Sequence, residues 1–156
     1  MEAGEAGERA ITRKAGAQRS AEGSRGSLRT PEDGFNLQLE SGPHAAASAR
    51  QALRRLRNGF DEDLKDTMRL LLTELVANSV RHAESNTVSV QAVVTGSSIW
   101  FEVADEGPGF DRHEAMREGA HSDESGWGLF LVERLANRWG VRHDGGATYV
   151  WFELQR

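Results

Sequence analysis

The chain has 156 residues, 38% of them hydrophobic and 28% charged, with a formal net charge of −5 and no cysteine. That length accommodates one domain with a real core, and the missing thiols exclude disulfides and thiolate metal sites. No apolar run approaches the ~20 residues that span a bilayer and no hydrophobic signal stretch opens the chain, so a cytoplasmic protein without membrane contact is expected.

Residues 1–33 are largely Gly, Ala, Glu, Arg and Ser, with Ile11 and Leu28 as the only sizeable aliphatics. A segment so poor in apolar surface cannot offset its ordering entropy, so a disordered tail is expected, followed by one folded domain over 34–156. Phe35, Leu37 and Leu39 alternate with polar residues and predict a half-buried strand. Pro43 suits the first turn of a helix whose apolar face is Ala45, Ala49, Ala52, Leu53 and Leu56, ended by Asn58-Gly59. Arg50, Arg54, Arg55 and Arg57 cluster on that helix, and in an acidic chain they read as a solvated face, with no nucleic-acid partner. Asp61 is the expected N-cap of a long second helix reaching about His82.

Val88, Val90 and Ala92, then Ile99, Phe101 and Val103, mark two strands joined by Thr95-Gly96-Ser97-Ser98. The polar, aperiodic stretch from Asp111 to Ser125 reads as a long loop of the kind that serves as a lid. Leu129, Val132, Ala136 and Trp139 form one face of a third helix, and Asp144-Gly145-Gly146 signals the turn of a terminal hairpin. This order predicts an α+β two-layer sandwich, a mixed and mostly antiparallel sheet with helices on one face.

Chemistry concentrates in four places. On the second helix Glu74, Asn78, Arg81 and His82 fall at i, i+4, i+7 and i+8, a polar stripe beside Leu71, Leu72, Leu75, Val76 and Ser79. Either the stripe faces water, as most polar helix faces do, or it lines a ligand pocket. Asp105 ends a core strand, where a carboxylate is costly without a partner, and Gly107 and Gly109 let the backbone beyond it turn and approach a flat ligand. Gly126-Trp127-Gly128 opens a helix whose first N–H groups favour a phosphate. Gly146 and Thr148 close the terminal hairpin. Singly, each glycine turn reads as a plain turn. The five histidines lack metal-ligand spacing, and no phosphate loop or dinucleotide fingerprint is present.

Together and in this order, Glu74-x-x-x-Asn78, Asp105-Glu106-Gly107-Pro108-Gly109, Gly126-Trp127-Gly128-Leu129 and Gly146-Ala147-Thr148 resemble the four ATP-binding boxes of the gyrase, histidine kinase and MutL superfamily, the Bergerat fold. Thr73-Glu74-Leu75-Val76-Ala77-Asn78 and the ending from Trp139-Gly140-Val141 to Val150-Trp151-Phe152 are most similar to the single-domain anti-sigma-factor serine/threonine kinases. The resemblance implies ATP and Mg2+ as cofactors. It implies that Asn78 holds the metal, that Glu74 is the general base and that Asp105 accepts from the adenine amino group. Gly107 and Gly109 would flank the adenine, and Gly126, Trp127, Gly128 and Leu129 would meet the nucleotide at the helix start. Thr148 would support the base, and Arg81 is a candidate phosphate contact. The chain departs from the family pattern at Ser79, where alanine is usual, and at Ala147, where lysine is common.

Three functions follow from the resemblance. The first is a protein serine/threonine kinase acting on an anti-anti-sigma-like partner and sequestering a sigma factor, with a homodimer as the family's habit. The second is an ATP-gated protein-binding module that moves no phosphate. The third, a catalytic-domain relative of sensor histidine kinases, is weaker because no helix pair with a phospho-accepting histidine is present.

Overall fold

A computed structural model of the chain describes residues 9–11, 33–57, 59–82, 84–107 and 127–156. Its strands are β1 (Arg9–Ile11), β2 (Gly34–Glu40), β3 (Thr87–Val94), β4 (Ser98–Glu106), β5 (Arg138–Asp144) and β6 (Ala147–Gln155). Its α-helices are α1 (Ala45–Ala52), α2 (Glu62–His82) and α3 (Trp127–Leu135). The strands form one sheet in the order β1-β5-β6-β4-β3-β2, and every described pairing is antiparallel. The α+β sandwich expected from the sequence is therefore present, with an antiparallel sheet in place of a mixed one.

Alternation in the strands decides which residues meet the helices. Ile99, Phe101 and Val103 of β4 and Val150, Phe152 and Leu154 of β6 are all buried, as are Val88, Val90 and Ala92 of β3. Phe101 lies directly opposite Phe152, their rings stacked with centroids 5.0 Å apart. Against this face α2 lays Met68, Leu71, Leu72, Leu75, Val76 and Ser79. The helix starts where the sequence places it, since the Asp61 carboxylate accepts the Leu64 N–H at 2.7 Å. Glu62 and Asp63 in its first turn and Arg81 and His82 in its last complement the helix dipole. Among the described residues, no helix is long and apolar enough to cross a membrane.

Three local expectations change. The first helix begins at Ala45, with His44 as N-cap and Pro43 in the preceding turn; it passes at Ala52 into a 3-10 turn over Leu53–Arg55. Leaving the helix there turns Leu56 to extended backbone, which lets Leu56 and Phe60 both become buried. Trp139 belongs to β5, not to the third helix, because Asn137 exits α3 to pair with β6. Its N–H donates to the Glu153 carbonyl at 3.0 Å and its side-chain oxygen accepts from the Gln155 N–H at 2.8 Å. Finally, Arg9–Ile11 of the expected tail pairs with Val141, Gly140 and Trp139 of β5. An edge strand offers unpaired backbone groups to any extended segment, so three residues can be ordered by backbone pairing alone.

Candidate functional site

The helix stripe divides in two. Glu74 and Asn78 are half-buried, whereas Arg81 and His82 are exposed. What covers the first pair is the start of α3. A methyl group on Gly128 would lie 2.3 Å from Asn78 Nδ2 and 3.4 Å from Glu74 Cβ. The two helices come so close that a side chain in place of this glycine would displace the amide of Asn78. Glu74 and the Asn78 amide therefore sit beside the N-terminal turn of α3, and the N–H groups of a helix start favour an anion. The Arg81 guanidinium donates to Asn78 Oδ1 and holds that amide in one orientation.

A second group forms at the end of β4. Asp105 has the parity of Ile99, Phe101 and Val103 and so lies on the helix-covered face, half-buried. Directly across on β6 is Thr148, 2% exposed. Gly107, just beyond Asp105, donates its N–H to the Gly146 carbonyl at 3.4 Å, which ties the two glycine turns together. Gly145 and Gly146 have φ of 58° and 81°, the two positive values of a type I′ hairpin turn. The Glu84 N–H donates to the Glu106 carbonyl at 3.1 Å, so the chain leaving α2 is anchored at this same end of β4.

The structure thus brings Glu74, Asn78, Arg81 and Gly128 together, and Asp105, Gly107, Gly146 and Thr148 together. Leu129 is 4% exposed within the core, so its side chain packs and only its backbone is left for a ligand. Trp127 supplies the first residue of α3. Gly109, Pro108, Gly126 and the lid stretch from Asp111 to Ser125 lie outside the described residues. One neighbour escaped the sequence reading. His143 Nδ1 lies 3.1 Å from Thr148 Oγ1. Counting back from a two-residue turn at Gly145-Gly146 pairs Asp144 with Ala147 and then His143 with Thr148, so the signal was in the hairpin register.

The donors suit a hard cation carried by phosphates. Asn78 offers one amide oxygen, which keeps a lone pair beyond the one that Arg81 engages. Away from this site, Arg50, Arg54, Arg57, Lys65 and Arg69 border a groove of about 740 Å³ between the first two helices, so three of the four arginines read as a solvated face line a concavity. On the side of the sheet opposite the helices, burial pushes the Glu102 carboxyl above its ordinary value, and the charge and hydrogen bond of Arg142 only partly oppose this. Arg142 lies 3.7 Å from Glu102 and stacks over Tyr149 at 3.8 Å.

Comparison with known proteins agrees with this geometry. Residues 38–154 match the histidine kinase-like ATPase domain. The serine-protein kinase RsbW of Listeria monocytogenes serovar 1/2a is 26% identical over 138 residues, covering 79% of this chain and 88% of that protein. RsbW of Listeria innocua serovar 6a is also 26% identical over 138 residues, with the same coverage of both chains. RsbW of Bacillus thuringiensis is 31% identical over 106 residues, 60% of this chain and 66% of the relative.

Proposed function

Because the chain belongs to the histidine kinase-like ATPase domain family, we propose that it binds ATP with Mg2+ and acts as a protein serine/threonine kinase of the anti-sigma-factor type. Its substrate is a small anti-anti-sigma-like protein, and its unphosphorylated partner state governs how much sigma factor it holds. A cytoplasmic location and a homodimer belong to the same reading. One observation carries it: Gly128 at the start of α3 lies against the Glu74–Asn78 pair of α2. The resemblance of the chain to the RsbW serine-protein kinases supports the choice of hydroxyl acceptor.

Each residue then has a task. Asp105 accepts from the base amino group, with Thr148 beside it. Backbone N–H groups at the start of α3 bind phosphate oxygens. Asn78 would hold the metal, which when bound would offset the charge of the phosphates. Arg81 keeps the Asn78 amide turned the right way. Glu74, one helical turn from Asn78, takes the proton of the acceptor hydroxyl as its oxygen bonds to the γ-phosphorus. The bridging P–O bond breaks, and ADP leaves with the electron pair.

Labelled ATP, the purified chain and a candidate anti-anti-sigma partner test this. Glu74→Gln should leave ATP affinity within about twofold and lower phosphoryl transfer about 10²–10⁴-fold. Equal transfer by both proteins would remove Glu74 from the chemistry. Tight ATP binding by the wild type with no transfer to any partner would instead favour the nucleotide-gated binding module.

A further inference from the structure

His143, Thr148 and Asp105 form a row across three neighbouring strands. Register places His143 opposite Thr148 and Thr148 opposite Asp105. All three have the parity of the buried residues on their strands, Trp139 on β5, Val150 on β6 and Val103 on β4, so the row lies on the helix-covered face. Thr148 is 2% exposed, and the contact of its hydroxyl with His143 Nδ1 is 3.1 Å. A hydroxyl carries one proton and two lone pairs. Buried beside a histidine, it points that proton where the ring nitrogen allows.

The contact can be made in two senses. If Thr148 donates to Nδ1, its proton is spent, and the row shows the pocket only acceptors, a carboxylate beside hydroxyl lone pairs. If Nδ1 carries the proton and donates to Thr148 Oγ1, the Thr148 proton is released toward the pocket. The row then reads acceptor at Asp105 and donor at Thr148. Adenine presents a donor, its exocyclic amino group, next to an acceptor, ring nitrogen N1. Guanine presents the reverse order there. Only the second sense matches adenine at both positions.

The geometry points to His143 as a positioning residue for base recognition, one that donates from Nδ1 to Thr148 and so turns the Thr148 hydroxyl into the direct donor for adenine N1. This rests on the ATP reading above and adds to it the origin of the adenine preference. His143 touches no nucleotide. It is exposed, so its other ring nitrogen is free to meet water while Nδ1 faces Thr148.

The test compares ATP with 1-deaza-ATP, in which N1 is replaced by C–H, by calorimetry on the full chain. Wild type should bind ATP about three- to tenfold more tightly than the analogue, the worth of one hydrogen bond. Thr148→Val should bring that ratio to about one, and so should His143→Ala. His143→Asn, whose side-chain N–H can take the place of Nδ1–H, should restore it. A wild-type ratio kept by His143→Ala overturns the assignment. So does collapse in both His143 variants, which would mark a merely structural role; thermal melting of each variant confirms that the fold is retained. If the wild type binds neither nucleotide, the ATP reading itself has failed. If it binds both equally, only the role of the Thr148–His143 pair has.

Discussion

Two ends of one sheet face use the same alternation for opposite purposes. Along β4 the residues turned toward the helices run Ile99, Phe101, Val103 and then Asp105; along β6 they run Leu154, Phe152, Val150 and then Thr148. Three rungs are hydrocarbon and the fourth is a carboxylate facing a hydroxyl. Backbone pairing is the same at every rung, so the change is one of side-chain chemistry alone. A site of this kind needs no separate structure. It is the place where the core stops being apolar while the framework that positions it continues.

Substitutions at the two ends should separate stability from binding. The largest effect is expected at the apolar end. Phe101→Ala removes a fully buried ring stacked on Phe152 and should cost about 3–5 kcal/mol, read as a fall in denaturation midpoint. At the polar end Asp105→Asn should leave that midpoint nearly unchanged and weaken ATP about 10–10²-fold, the worth of a hydrogen bond to a charged acceptor. A matching loss of stability in Asp105→Asn would dissolve the distinction between the ends.

Gly128→Ala tests the link from the sheet site to the α2 pair. The added methyl group displaces the end of the Asn78 side chain, which is flexible, so the fold should survive while Mg2+-dependent ATP affinity falls about tenfold. Metal-free affinity should move less, and calorimetry with and without Mg2+ reads both. An unaltered affinity would mean that Asn78 takes no part.

The smallest effect is expected on the sheet face opposite the helices. Burial raises the Glu102 pKa, so the folded state binds this proton more tightly than the unfolded chain. The stability that Glu102 contributes is therefore complete at pH values below its ordinary pKa and is lost as pH rises through the raised one. Glu102→Gln should raise the melting temperature by about 1–2 °C at pH 7 and by nothing near pH 4. Arg142 keeps Asp144, 3.3 Å away, and its stack on Tyr149 in the variant. A drop in melting temperature at pH 7 would show that the ion pair outweighs the cost of burial.

Much of this architecture was legible because its cues are local. Strict alternation marked β2, β3, β4 and β6, the Asp61 cap marked the start of α2, and Asp144-Gly145-Gly146 marked the last turn. Errors fell where a distant contact overrode a local pattern. The apolar spacing from Ala45 to Leu56 reads as one helix, yet burial of Leu56 and Phe60 breaks it at Ala52. Trp139 fits the period of α3, yet the bonds of Asn137 to β6 take it into β5.

The amino-acid order by itself determined the order of the elements from β2 to β6, the face each one buries and the identity of the polar groups that interrupt those faces, because periodicity and turn chemistry act over a few residues. It did not decide that Gly128 would press on Asn78 or that Gly107 would bond to Gly146. Those contacts join residues 50 and 39 positions apart, and they exist only once helix packing and strand register have been settled by burial of the whole core.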